Sequence, residues 1–344
     1  MSVYRIDPLQ DSRWEKLLDS HPNASVFHTR GWLETLSWTY GYEPIAYTTS
    51  PPNADLSNAV LFCMINSWLT GRRSVSLPFS DHCEPLVNLQ EDLAQILQKV
   101  CQDCEEEAWS YVELRPLSAH YEVSKVLQVS KVYWVHVLDL RPTQEELFQS
   151  FHSCTRRKIR RAERENILCQ EGTSDTLLSA FYELLLKTRR RHCIPPQPYS
   201  FFRNLVRRMG DNIAIRLASK DSTPIAAIIT LRFKKRLVYK YGCSDARYHK
   251  LGGVQILFWT AIKEAKQADL QEFDLGRSDT DNHGLITFKN RWGSQPVRLI
   301  YYAYPSARGH FTSPAWRIHA DRVLAHLPDR ILSTAGRLLY RHVG

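Results

Sequence analysis

Three stretches of this chain hold residues whose types and spacing suit chemistry. The first is Thr155-Arg-Arg-Lys-Ile-Arg-Arg-Ala-Glu-Arg164. Wound as a helix, it gathers Arg156, Arg157, Arg160, Arg161 and Arg164 into an arc of about 140°, with Phe151, Ile159 and Ala162 opposite. Guanidinium groups ranked on one face suit bidentate contact with phosphates. The plainer alternative is a solvated basic face. The second stretch, Tyr248-His-Lys-Leu-Gly-Gly-Val-Gln255, falls between a strand pattern and a helix pattern. Gly252 and Gly253 there would let backbone amides approach an anion at a helix start, or simply make a turn. The third runs from Phe273-Asp-Leu-Gly-Arg277 through Ser278-Asp-Thr-Asp-Asn-His-Gly284 to Phe288-Lys-Asn-Arg-Trp-Gly293. A strand ending in Asp274, a polar loop and a lysine between aromatic residues read as a site wall. A half-buried Lys289 can stabilise an oxyanion, or act as a base once its pKa falls. His283 is a weaker candidate base.

Several chemistries lack their residues. No GxSxG, HExxH or GxxxxGK[ST] occurs, which argues against common hydrolase, zincin and P-loop mechanisms. Cys101 and Cys104 form a CxxC inside a helical pattern, without the second pair a zinc site needs. Eight cysteines in 344 residues are too few for a disulfide scaffold and predict a reducing, cytoplasmic setting. The longest apolar runs are too short to span a bilayer, and the N-terminal residues hold no apolar leader segment.

The elements that must position these residues repeat. In the first half, a helix near Gly31–Trp38 leads to strands at 44–48 and 59–65. The stretch Ser74–Asp81, a helix from Asp92 to about 108 and a strand at Tyr111–Arg115 follow. The second half repeats that order. It has a helix at Phe201–Arg208, strands at 213–218, 225–233 and 237–245, a helix at 254–267 and a strand at 272–276. Ser80-Asp81 and Ser244-Asp245 match at an offset of 164 residues. A single helix from Thr143 to about Glu165, opened by a capping box, connects the halves. The expected architecture is therefore α/β with mixed sheets, in two copies at 1–145 and 146–310. A basic amphipathic tail follows at 311–344, expected as two helices broken at Pro328. It reads either as a helix pair packed on the domains or as a peripheral membrane contact. Charge divides with the copies. Residues 1–145 carry 11 Lys+Arg against 19 Asp+Glu, and the remainder carries 34 against 17, so an anionic ligand belongs on the second half.

The motifs around Arg156–Arg164, Tyr241-Gly-Cys-Ser-Asp, Phe273-Asp-Leu-Gly-Arg and Gly284-Leu-Ile-Thr-Phe-Lys-Asn-Arg-Trp-Gly together resemble the FemAB-like family. So does Leu77-Pro-Phe-Ser-Asp in the first half. This is a bacterial family within the GNAT acyltransferase superfamily, built from two tandem GNAT-like domains. The resemblance covers about residues 1–305. It implies transfer of an acyl or aminoacyl group to an amine of a cell-envelope precursor, related to peptidoglycan or exopolysaccharide. The implied co-substrate is acyl-CoA or aminoacyl-tRNA, with no permanently bound cofactor and no metal. It further implies Lys289 as oxyanion donor, with Asp274 and Asp245 orienting substrate or relaying a proton. On that basis Lys289→Ala should abolish transfer and leave the fold intact. The arginine ridge with Gly252 and Gly253 would hold the donor, while Asp81, His82, Tyr241, Arg277 and Asn282 would meet the acceptor. The long coiled-coil arm of tRNA-dependent members is absent. Position 249 is His where the acyl-CoA signature takes Gln or Arg, so the donor stays open between the two. A non-catalytic module binding tRNA or anionic polysaccharide, and an acetyltransferase of a soluble small amine, are the competing readings.

Overall fold

The computed structural model describes residues 2–118, 122–305 and 329–343. In chain order the elements begin with β1 (Tyr4–Ile6), α1 (Trp14–Ser20), α2 (Arg30–Tyr40), β2 (Glu43–Thr48), β3 (Val60–Ser67), β4 (Gly71–Val75), α3 (Gln90–Glu106), β5 (Tyr111–Leu114) and β6 (Gln128–Asp139). There follow α4 (Gln144–Ser150), α5 (Ser153–Arg164), β7 (Leu168–Gly172), α6 (Asp175–Arg191), α7 (Tyr199–Met209), β8 (Ile213–Lys220), β9 (Thr223–Phe233) and β10 (Arg236–Ser244). Last come α8 (Gly253–Gln267), β11 (Glu272–Asp279), α9 (His283–Asn290), β12 (Gln295–Tyr304) and α10 (Asp329–Val343).

The chain forms two compact units. Among the described residues, the first comprises 2–133 with 299–305 and 337–343, and the second comprises 134–298 with 329–336. Set beside the expected cuts at 145/146 and 310/311, the described chain crosses between units inside β6, inside β12 and again inside α10. The reason is pairing: Tyr302–Tyr304 of β12 lie antiparallel to Val112–Leu114 of β5, which returns a late segment to the first unit. Of the expected tail, the first helix lies outside the described residues and the second is α10.

The repeat is present in the topology. In the first unit β2, β3 and β4 form an antiparallel run, and β4 then pairs in parallel with β5 across α3. In the second unit β8, β9 and β10 do the same, and β10 pairs in parallel with β11 across α8. Each copy is a hairpin meander closed by a βαβ crossover, which needs a long connection and receives a helix of 17 or 15 residues. Each unit has its own core. The first centres on Tyr47, Phe62, Leu93, Ile96, Leu97 and Val112. The second centres on an aromatic group, Phe151, Phe258, Trp259 and Trp292, between α4, α5, α8 and α9.

The helix expected across 143–165 is two helices. Its capping box is as expected: Thr143 Oγ1 accepts from Glu146 N at 3.2 Å and Thr143 N donates to Glu146 Oε2 at 2.8 Å. Phe151 and His152 are extended, with ψ of 143° in both, and the His152 side chain caps α5 by accepting from Cys154 N. The break lets the Phe151 ring sit 5.0 Å from Trp292, and the His152 amide donates to the carbonyl of Arg291. A continuous helix would keep Phe151 on a shallower path.

Candidate active site

The site grows from a split in the second unit. Strands β10 and β11 are in register only from Arg236↔Glu272 to Val238↔Asp274. Just beyond, β10 carries a bulge between Tyr239 and Tyr241 where it faces β9, so Lys240 is an extra residue. From there β10 runs to Ser244 and β11 to Asp279 without pairing each other. A bulge increases local twist and turns a strand from its neighbour. The opening lies at the carboxyl ends of two parallel strands, where α/β sheets bind ligands.

Helix α8 begins at this opening. Gly252 is left-handed, with φ 79°, and a Cβ there would run into the carbonyl of Lys158 on α5. A Cβ at Gly253 would press on Ile225 and Ala226 at 3.0–3.1 Å. The glycine pair is therefore required by close packing of α5 and β9 around the start of α8. A pocket of about 200 Å³ lies there, lined by Lys158, Ser244, Tyr248, His249, Gly253, Gln255 and Phe288 among others. Lys158 also lines a shallow groove of about 780 Å³ with Arg157, Arg160, Arg161, Arg164 and Lys250. Sequence separates the arginine ridge from the glycine loop by almost ninety positions; the fold joins them through Lys158.

The ridge itself is partly engaged. Arg156 donates to Gln149 Oε1 at 2.6 Å, Arg160 lies over the Phe148 ring at 5.5 Å, and Arg161 faces Glu165 at 3.7 Å. Among the described residues Arg157 and Arg164 make no ion pair. Ile159 and Ala162 are buried on the opposite face, as the helical arc requires.

Lys289 sits on α9, which Asn282 caps by accepting from Leu285 N at 3.1 Å, and the loop expected at 278–284 is shortened by β11 at its start and α9 at its end. The lysine is only 2% exposed, and its Nζ donates to the carbonyls of Gly276 and Arg277 at 2.7 and 2.8 Å. Successive carbonyls of a strand normally point opposite ways. Gly276 is left-handed, at φ 74°, and the one ammonium satisfies both carbonyls. Lys289→Ala would therefore remove two buried hydrogen bonds as well as a charge.

Asp274 is fully buried and accepts from Gly276 N at 2.7 Å. Beside it stands a residue the motifs did not bring forward, His136 of β6. His136 is buried, pairs through Nε2 with Asn290 Oδ1 at 2.9 Å, and among the described residues has no hydrogen-bond partner at Nδ1. Burial holds its pKa below the ordinary value. The Asn290 bond and the Asp274 charge raise it, while Lys289 lowers it further, which puts all three groups within electrostatic reach of one another. A histidine inside the apolar run Tyr133-Trp-Val-His-Val-Leu138 was the available signal.

Other expected site residues are placed differently. Asp245 is buried and bound to Arg247 Nη2 at 2.7 Å and Lys187 Nζ at 3.0 Å. Chiefly the Arg247 guanidinium, then Lys187, holds its carboxyl far below the usual carboxylate range, so it cannot relay protons near neutral pH. Tyr241 is buried and packs its ring against Phe202 at 5.1 Å and Phe201 at 6.1 Å. His82, in the first unit, is buried edge-on to Phe27, which likewise removes it from the surface. Asp81 gives its main-chain carbonyl to Tyr301 Oη. Asn282 serves as helix cap, and half-buried Arg277 adjoins Lys289 through its carbonyl. His283 is exposed at the start of α9. Cys101 and Cys104 are buried thiols whose pKa values burial pushes up to about 12 and about 11. Among the described residues no group of His, Cys, Asp and Glu could hold a metal.

Residues 149–289 match the family of acetyltransferase (GNAT) domains, from the end of α4 to Lys289. Over 161 residues the chain is 26% identical to a UDP-N-acetylmuramoylpentapeptide-lysine N(6)-alanyltransferase of Weissella viridescens, covering 45% of this chain and 47% of that one. The match thus spans about half the length of that relative. The crystal structure of FemX superposes with a TM-score of 0.69 at 14% identity, over 88% of this chain and 97% of that one. A tandem GNAT protein from the clavulanic acid biosynthesis pathway gives a TM-score of 0.56 at 10% identity, over 88% and 97%. Residues 149–289 thus match a GNAT domain built around the split strands, the same topology is repeated before it, and the fold is similar to that of FemX.

Proposed function

We propose that this protein transfers an acyl or aminoacyl group from a polyanionic activated donor to an amine of a cell-envelope precursor. The observation that carries this reading is that Lys158 lines both the cationic groove on α5 and the pocket at the start of α8. A donor whose carrier holds several phosphates and whose acyl end is slender fits both parts. Phosphates lie along Arg157, Arg160, Arg161 and Arg164, a phosphate or carbonyl oxygen meets the amides after Gly252, and the acyl group enters beside Phe288. Both acyl-CoA and aminoacyl-tRNA have that form. The alanyltransferase relative supports a lysine ε-amine of a peptidoglycan precursor as acceptor.

The amine attacks as the free base. Its nitrogen bonds to the donor carbonyl carbon, the carbonyl electrons move onto oxygen, and the tetrahedral oxyanion collapses by breaking the carbon–sulfur or carbon–oxygen bond to the carrier. The proton lost by the amine leaves to solvent or to the carrier's sulfur or oxygen. Lys289 sets a fixed positive charge beside the split strands. Asp274 holds the turn at Gly276 that aims those carbonyls, and neutral His136 completes the buried group. Proximity of two bound substrates supplies much of the acceleration, about 7–11 kcal/mol in favourable cases.

Calorimetric titration with acetyl-CoA, then with alanyl-tRNA, tests the reading. Saturable binding of one of them, lost in Gly253→Val, together with amide formation on a lysine-containing muramyl pentapeptide, supports it. Salt-sensitive binding of both donors without any product would instead favour a non-catalytic polyanion-binding module.

A further inference from the structure

We propose that the tip of the β3–β4 hairpin and the last turns of α10 form a docking surface for an anionic lipid bilayer. Both the tip and the last turns of the helix belong to the first unit. Trp68 at the tip is 87% exposed and Leu69 is 57% exposed. Single exposed apolar residues are ordinary, but these two are held out by a built support. The His342 ring lies edge-on to Trp68 at 5.6 Å, and its Nδ1 shares a hydrogen bond with Ser67 Oγ at 2.9 Å. Thr70 Oγ1 and Arg73 Nη2 both donate to the His342 carbonyl, at 3.0 and 2.7 Å. Hairpin tip and helix end are thereby fastened into one platform.

The helix adds the complementary chemistry. Tyr340 turns inward, its ring 5.6 Å from Phe79 and its carbonyl bonded by Tyr42 Oη at 2.6 Å. Arg337, Leu338 and Arg341 form the exposed face, at the spacing that aligns side chains along one side of a helix. Among the described residues neither Arg337 nor Arg341 makes an ion pair. A tryptophan ring and two leucines at interfacial depth, with two unpaired guanidinium groups beside them, match the headgroup region of an anionic leaflet. The body of the first unit is acidic, with 11 Lys+Arg against 19 Asp+Glu in residues 1–145. Charge therefore favours this corner over the rest of that unit for facing a negative surface. A protruding tip and one helix face also fit a bilayer better than the roughly 800 Å² per partner of a stable protein interface. No described helix is long and apolar enough to cross a membrane, so the attachment is peripheral.

Co-sedimentation of the full chain with phosphatidylcholine vesicles, with and without phosphatidylglycerol, tests the proposal. The chain should pellet with the mixed vesicles, release as salt rises, and stay in solution with phosphatidylcholine alone. The pair Arg337→Glu and Arg341→Glu should lower the partition by about tenfold or more. The pair Trp68→Ser and Leu69→Ser should do the same. Each pair must keep the parent's melting temperature for its result to count; one that does so is sufficient. Equal pelleting with both vesicle types, or none with either, overturns the proposal. So does a concentration-dependent dimer that Trp68→Ser abolishes, which would make this face a contact between copies of the chain.

Discussion

Lys289→Met removes the ammonium while keeping most of the stem volume, and its consequences can be sized from the contacts. Two buried carbonyls, of Gly276 and Arg277, lose their donor. Each unsatisfied buried group costs about 1–3 kcal/mol, so the gross loss is about 2–6 kcal/mol. Removing a buried charge works the other way by relieving desolvation. We expect a net destabilisation of about 2–4 kcal/mol for Lys289→Met. The loss should be greater for Lys289→Ala, where the missing stem also leaves a cavity. Urea unfolding followed by intrinsic fluorescence, compared at a common slope, reads this directly. Turnover must be measured well below the unfolding midpoint, so that the folded fraction is the same in each variant. A charge that stabilises the oxyanion should be worth about a hundredfold or more in kcat. A fall in stability with unchanged kcat would confine Lys289 to holding the split strand. An unchanged midpoint would refute the reasoning at its root, because the ammonium would not be what satisfies those carbonyls.

Further outcomes follow from other positions. Gly252→Ala forces a left-handed residue against the Lys158 carbonyl; it should cost at least about 1–3 kcal/mol and weaken donor binding, read by thermal unfolding and calorimetry. Burial, then the neighbouring Glu264, pushes the Glu171 carboxyl up to about 7, with Arg216 opposing. A carboxyl raised on folding contributes stability that is full below its unfolded value and lost as pH rises through its folded one. The window is therefore about pH 4.5 to 7, and Glu171→Gln should flatten the fall in melting temperature across it. His136→Phe keeps ring volume but strands the Asn290 carbonyl. It should lower kcat more than donor affinity, and equal losses in both would assign His136 to packing.

The repeat was legible because each copy alternates short β-branched runs with one long apolar helix, and because turn residues punctuate the meanders. Strand β6 escaped notice although Gln128–Asp139 is rich in valine and aromatic residues, since it has no counterpart inside the repeated order. With it went His136. The arginine ridge and the glycine pair were each visible, but their adjacency depends on α5 packing against α8, a tertiary contact that no local pattern encodes. Asp245 shows the converse. Its motif drew attention to a carboxylate, yet the partners that decide its chemistry, Lys187 and Arg247, come from α6 and from the turn after β10. Tyr241 and His82 were legible as motif members, while their burial is a property of packing. The break at Phe151 was hidden by a capping signal at Thr143 that is correct for the first of the two helices.

The return of β12 to the first unit has a consequence for synthesis. On the ribosome the second unit's residues 134–298 emerge as one uninterrupted run, whereas the first unit waits for 299–305 to supply the neighbour of β5. The portion translated earliest is thus completed late, and the free edge at Val112–Leu114 stays open to foreign strands for more than half of elongation. A nascent chain stalled near residue 145 should be the species that chaperones hold. A fragment ending there should aggregate rather than fold, so the first unit is best produced with its distant strand supplied in the same chain.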